Sequence, residues 1–220
     1  MGNTKENSTR DELKERIIKS ALEAFRVNGI KSITMDDIAA LLKISKRTLY
    51  EIFVDKETLL KECILYQHRY TQSALEELVA KSSNVLEVIL ICYKVSIETY
   101  PNTNYLFFEE IKKYPRVYEL IKQFKRKNNQ VVIDFLKSGV DQGIFRDDIN
   151  FAIIHMLLRE QMDLLITSKV ISQDFSFLEV YEAIIFTYLR GISTPMGAEK
   201  LEEFIKEYRK EKYQGSKIKH

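Results

Sequence analysis

Between Ile33 and Leu60 the chain starts a helix three times by one device. Thr34, Ser45 and Asp55 each carry a side-chain oxygen able to accept from an early helical N–H. Each is preceded by an apolar residue that pairs with another five positions on: Ile33 with Ile38, Ile44 with Leu49, Val54 with Leu59. The oxygen satisfies a donor that every helix start leaves open, and the apolar pair sets the angle of entry. The punctuation predicts helices over residues 35–42, 46–52 and 56–80. The first two are too short to persist alone, so they must pack on neighbours. Joined by the tight turn Lys43-Ile44, they form a helix-turn-helix.

The remainder is also helical. Glycine occurs 7 times and proline 3 times in 220 residues, and apolar residues recur at helical rather than alternating spacing. The expected fold class is all-α. Thr9 and Glu12 read as a capping box for a first helix whose stripe is Leu13, Ile17, Ala21 and Phe25, closed by Asn28-Gly29. Longer helices are expected near 84–100, 104–113, 116–138, 150–169, 175–191 and 197–213. Pro101, Pro115, Pro195 and the loop from Gly143 to Asn150 punctuate them. The first 8 residues and the last few are expected to be disordered. Two domains follow: a helix-turn-helix domain over 1–55, and a larger helical domain over 56–220.

Charge bounds the partners. Lys and Arg total 34 against 32 Asp and Glu, a net charge of +2. A polycation that coats nucleic acid is excluded, whereas a local basic patch is not. From Lys43 to Tyr50 there are three cations, Lys43, Lys46 and Arg47, and no acid. Cys63 and Cys92 stand far apart in apolar stretches and match no metal spacing, so free buried thiols in a reducing compartment are expected. No apolar run has the length of a membrane span, and no secretory apolar region follows the polar N-terminus. The expectation is a cytoplasmic protein with no membrane partner.

In "ISKRTLYEIF", residues 44 to 53, the apolar residues Ile44, Leu49, Ile52 and Phe53 reach a core, leaving Lys46, Arg47, Thr48 and Tyr50 outside. The second helix of a helix-turn-helix enters the DNA major groove led by its N-terminal residues. Arg and Lys chelate guanine, and Thr meets a base edge or the thymine methyl. Tyr donates to phosphate, and helix N-termini favour phosphate, which brings in Thr34 and Lys56. The expected DNA face is Thr34, Lys43, Ser45, Lys46, Arg47, Thr48, Tyr50 and Lys56. A three-helix packing unit with a solvated face accounts for the apolar residues equally well, but gives no reason for an exposed Tyr50 beside a cation cluster.

"ITMDDIAALLKISKRTLYEIFVDKETLL", residues 33 to 60, resembles the DNA-binding signature of the TetR family of transcriptional repressors. Phe25, Gly29, Thr34, Ile38-Ala39, Ser45, Thr48-Leu49-Tyr50, Phe53, Lys56 and Leu59-Leu60 carry the resemblance, which is specific over residues 10 to 62 and architectural beyond. It implies that Thr34, Tyr50 and Lys56 contact phosphate while Lys46, Arg47 and Thr48 face bases. It implies also a homodimer on a palindromic operator in double-stranded DNA, and a small-molecule effector. Two positions depart from the family pattern: Lys43 stands where Gly is usual, and Arg47 where a small residue is common.

An enzyme is the rival class, as is a helical binding protein. Its chemistry is sparse. The three histidines are His68, His155 and His220; HExxH, ExxH, GxSxG and Gly-rich phosphate loops are absent from the sequence. No catalytic residue, metal or cofactor is expected.

Eight rings, Tyr93, Tyr100, Tyr105, Phe107, Phe108, Tyr114, Tyr118 and Phe124, gather in and around three consecutive helices. Two readings stand. Rings at helical spacing make a core, and rings with a few polar groups make a pocket between helices. On the second, the lining is Tyr93, Ser96, Tyr100, Phe107, Phe108 and Phe124, suited to a largely apolar molecule. Control by a protein partner, or by no ligand, is the alternative. For dimerisation, the stripes Ile154, Leu158, Met162, Leu165 and Tyr181, Ile184, Ile185, Tyr188 are expected to build a four-helix interface.

Overall fold

The computed structural model describes residues 2–167 and 174–216. Among them the chain forms ten α-helices: α1 (Gly2–Asn28), α2 (Met35–Leu42), α3 (Lys46–Ile52), α4 (Lys56–Lys81), α5 (Val85–Thr99), α6 (Tyr105–Ile111), α7 (Pro115–Asp141), α8 (Phe151–Thr167), α9 (Phe177–Ile192) and α10 (Pro195–Ser216). A 3₁₀ turn, Tyr100–Asn102, follows α5 at Pro101. Prolines 115 and 195 occupy first helical positions, where a missing N–H costs nothing, so they open α7 and α10.

The three repeated starts form as the caps require. Thr34 and Asp37 make a reciprocal box: the Asp37 N–H donates to Thr34 Oγ1 (3.1 Å), and the Thr34 N–H donates to Asp37 Oδ2 (2.8 Å). The Thr48 N–H donates to Ser45 Oγ (3.0 Å), and the Thr58 N–H to Asp55 Oδ1 (2.7 Å). Ile38, Leu49 and Leu59 are fully buried. Val54 is 74% exposed, so its pairing with Leu59 does not shield it from water. The first helix departs from expectation: α1 begins at Gly2, not at Thr9, because no proline or glycine between residues 3 and 28 interrupts it.

The chain divides into two compact units, residues 1–78 with 98–127, and residues 79–97 with 128–220. The helix-turn-helix stretch lies wholly in the first, which also takes in α6 and the first half of α7. The first core gathers Ile17, Ala21 and Phe25 of α1, Ile30, Ile38, Leu49 and Phe53, Leu59, Leu60 and Cys63 of α4, and Phe107 and Val117. Burial and an Ile18 carbonyl acceptor at 3.4 Å account for Cys63, and burial pushes its thiol pKa well up. Cys92 is half-buried and also free.

The second core packs Val85, Leu86 and Tyr93 of α5 with Ile144, Phe145, Phe151, Tyr181, Phe186, Leu189 and Leu201. Here the loop after α7 is tied to the loop after α9: the Arg146 N–H donates to the Ile192 carbonyl (2.9 Å) and the Thr194 N–H to the Ile144 carbonyl (3.0 Å). Gly139 allows the close approach. A Cβ there would sit 2.4 Å from Phe145 Cδ2 and 2.7 Å from Val85 Cγ2.

Candidate nucleic-acid interface

α2 ends in a left-handed residue. Lys43 has φ 54° and ψ 40°; its N–H bonds the Ala40 carbonyl (3.1 Å) while the Ile44 N–H bonds the Ala39 carbonyl (3.0 Å). These two bonds make a Schellman turn, normally closed by glycine because a Cβ crowds the following carbonyl. The turn brings Ser45 immediately to the cap of α3 and sets the two short helices in contact, α3 buried through Leu49.

The polar remainder of α3 faces outward. Lys43, Ser45, Lys46 and Arg47 are exposed, and Tyr50 is 48% exposed. Thr48 is half-buried, with its hydroxyl 2.8 Å from that of Ser45. Thr34 is exposed at the start of α2, its hydroxyl donating to Asp37 (2.7 Å). That hydroxyl, joined by the Thr34 N–H, holds the Asp37 carboxyl below the usual carboxylate range. Lys56 is half-buried at the start of α4; its ammonium donates to the Ile30 carbonyl and lies 5.7 Å from the Phe25 ring centroid. Burial lowers its pKa, against the raising pull of Glu110 and Asp37.

The fold adds two acids that the run from Lys43 to Tyr50 lacks. Lys46 Nζ is 2.5 Å from Asp36 Oδ2, and Arg47 Nε is 2.9 Å from Glu51 Oε1. The hydrogen bond with Asp36, and then its charge, raises the Lys46 pKa. Each of the two cations that the sequence puts forward for reading bases is therefore held by a carboxylate. The Arg47–Glu51 pair has helical i, i+4 spacing and was visible in the sequence. The Lys46–Asp36 pair crosses the turn and was not.

The residues named for an effector pocket fall in both units. Tyr93 and Ser96 belong to the second. Tyr93 is buried, its hydroxyl donating to Glu182 Oε1 (2.8 Å), its ring 5.6 Å from Tyr181 and 5.0 Å from Phe186. Burial first, then the bond to Glu182, drives its pKa far up. The Ser96 hydroxyl donates back to the Cys92 carbonyl (2.8 Å). Tyr100, Phe107, Phe108 and Phe124 belong to the first unit. Phe107 is buried in that unit's core, edge-on to Phe108 at 5.4 Å; Tyr100 approaches Phe108 at 6.2 Å; Phe124 stacks on His68 at 3.7 Å.

Of the residues named for dimerisation, Leu165, Tyr181 and Ile185 are buried within the second unit, and Ile154, Leu158, Met162 and Ile184 are half-buried against its core. Tyr188 is half-buried. The apolar residues that α8 leaves most exposed are Ile153, Met156, Leu157 and Leu164, which the sequence reading passed over.

A capped short helix with outward cations and a phenol, set by a tight turn on a second short helix, defines a helix-turn-helix DNA-binding protein. Residues 17–63 match the family described as bacterial regulatory proteins, tetR family. The chain is 23% identical over 160 residues to the HTH-type transcriptional repressor KstR2 of Mycobacterium tuberculosis, covering 70% of this chain and 78% of that one. The solved structure of that ketosteroid transcriptional regulator superposes with a TM-score of 0.57 at 18% identity, over 82% of this chain and 95% of the other. A TetR-family regulator from Agrobacterium tumefaciens gives a TM-score of 0.69 at 16% identity, over 84% and 100%. Residues 17–63 therefore carry the domain of that family, and the likeness to TetR-family regulators beyond them is one of fold. Among the described residues no helix is long and apolar enough to cross a membrane.

Proposed function

We propose that the chain is a dimeric repressor that leaves a palindromic operator when a small, largely apolar molecule binds. One observation carries the DNA face: Tyr50 lies exposed on α3 beside Lys46 and Arg47, where core packing has no use for it. Lys46, Arg47 and Thr48 read bases. Thr34, Ser45, Tyr50, Lys43 and Lys56 hold phosphates. The matched relative is named a repressor, which supports the sign of regulation.

Two copies pair through α8 and α9. The exposed apolar residues Ile153, Met156, Leu157 and Leu164 supply the surface that a two-fold interface needs, flanked by half-buried Ile154, Leu158, Met162, Ile184 and Tyr188. The apolar effector is supported by the ring-rich segments around α5, α6 and α7, and by a relative titled a ketosteroid regulator. Ligand shifts the population toward a state whose recognition helices no longer match successive grooves. Tyr93 and Phe107, each buried among its own unit's side chains, favour the competing case of a regulator without a small ligand.

Selection of genomic fragments by the purified protein, followed by mobility shift, tests the DNA assignment. Arg47→Ala should relax discrimination at one base pair per half-site by about 1–3 kcal/mol, whereas Tyr50→Phe should weaken all DNA alike. Wild-type behaviour in both variants overturns the interface. A thermal-shift screen of lipophilic metabolites, followed by DNA release, tests the effector. Activity confined to phosphorylated polar compounds overturns its apolar character.

A further inference from the structure

The corner between α6 and α7 is basic and is built into the first unit beside the start of α4. Lys112 and Lys113 close α6, and Arg116 lies in the first turn of α7; all three are exposed, as is Lys31 in the loop after α1. Lys112 is paired with Glu109 at 2.7 Å. Lys31 and Lys113 hold no ion pair among the described residues.

This corner is fixed, not merely nearby. Glu110, buried on α6, accepts from the Lys31 N–H at 2.6 Å. Gly29 brings the α1 end so close to α6 that a Cβ there would lie 3.1 Å from Leu106 Cβ and 3.3 Å from Glu110 Oε2. The Asn104 N–H bonds the Arg26 carbonyl at 2.7 Å, and Arg26 reaches Thr103 Oγ1 at 3.1 Å. On the other side, Glu57 in the first turn of α4 accepts from the Arg116 N–H at 3.2 Å. The charge of Arg116 helps to depress the Asp55 carboxyl, after the bonds from Thr58, and Glu110 acts on Lys56. Lys56, the phosphate ligand proposed for the start of α4, thus shares one cluster with Asp55, Glu57, Glu110 and Arg116.

We propose that Lys31, Lys113 and Arg116 form a second phosphate-binding edge that grips duplex DNA outside the half-site read by α3, resting on the DNA-binding assignment above. The partner is double-stranded DNA because the edge is continuous with the Lys56 end of that face, and the ring within it, Tyr114, is half-buried against the first core rather than presented for stacking single strands. Phosphate contacts carry no sequence information, so the edge adds affinity and register but leaves base choice to α3.

The test uses the full-length protein, a selected operator trimmed to its two half-sites, and the same operator with flanks of two unrelated sequences. Wild type should bind both extended duplexes more tightly than the trimmed one, and alike. Lys113→Gln with Arg116→Gln should remove that gain, lower the slope of log K against log salt by about 2 on extended DNA, and leave trimmed-operator affinity and melting temperature unchanged. Lys113→Glu is a second, independent variant that should do the same more strongly. An unchanged length dependence in both variants overturns the edge, as does a gain confined to one flank sequence. A wild type that binds no duplex overturns the DNA-binding assignment instead.

Discussion

Lys46 and Asp36 meet at 2.5 Å across the turn between α2 and α3, and Arg47 meets Glu51 at 2.9 Å along α3. Both pairs are exposed, so neither contributes much to stability. Their consequence is for binding. A phosphate or a guanine must displace a carboxylate before it gains the cation, and that cost falls on every DNA sequence. Correct bases repay it with bidentate bonds. Asp36→Asn with Glu51→Gln should therefore tighten operator and non-operator DNA alike, and steepen the salt dependence on either duplex by about 1 per freed cation. Fluorescence anisotropy on both duplexes reads the two affinities. Unchanged affinity and salt slope on both would show that the acids are bystanders.

The capping box at α2 predicts a pH effect. Thr34 depresses the Asp37 carboxyl, so the group binds protons more weakly folded than unfolded. Its stabilising contribution is complete above the unfolded value, about 3.9, and is lost as pH falls through the lower folded value. Asp55 and Glu202 shift the same way, through Thr58 and Arg190 respectively. Urea unfolding between pH 7 and 3 should show falling stability, and Thr34→Val should make the fall shallower. An identical slope in that variant would remove Asp37 from the account.

Two glycines in the second unit give opposite signs for one substitution. A Cβ at Gly139 meets Phe145 at 2.4 Å and Val85 at 2.7 Å, while one at Gly191 meets nothing within 4 Å. Gly139→Ala should destabilise by about 1–3 kcal/mol through overpacking. Gly191→Ala, inside α9, should stabilise by about 0.4–1 kcal/mol by restricting the unfolded chain. Chemical denaturation of the two variants side by side decides it, and equal effects would count against the packing around Phe145.

What the sequence made legible was local. Thr34, Ser45 and Asp55 act within three residues of themselves, so the helix starts followed from residue type and spacing alone. The burial of Leu49 and the exposure of Tyr50 followed from helical period. The Lys46–Asp36 contact did not, because it depends on how the turn aligns two helices. Nor did the role of Tyr93: a ring at helical spacing looks the same whether it meets Tyr181 or a ligand. On α8, one face was chosen by its stripe of Ile154, Leu158 and Met162, yet the neighbouring residues Ile153, Met156 and Leu157 stay outside. Two apolar faces on one helix cannot be ranked until the rest of the core has claimed one.

Lys43 carries the last prediction, because its backbone and its side chain point in opposite directions. Its φ of 54° belongs to the left-handed region, and it is the only non-glycine residue there among those described. For an L-residue with a Cβ this conformation costs roughly 1–2 kcal/mol. The Schellman bonds to Ala39 and Ala40 hold the turn in place regardless. Glycine would relieve the strain, at the expense of a more flexible unfolded chain, so Lys43→Gly should stabilise by about 1 kcal/mol. The same change removes an exposed cation from the edge of α3. Operator affinity should drop and the salt slope should fall by about 1, while base preference stays put. Lys43→Asn separates the two effects, since asparagine tolerates the left-handed region without a charge. It should lose affinity as the glycine variant does and gain less stability. If both variants kept wild-type affinity and slope, Lys43 would have no part in DNA binding; if Lys43→Gly were no more stable than wild type, the turn would carry no strain.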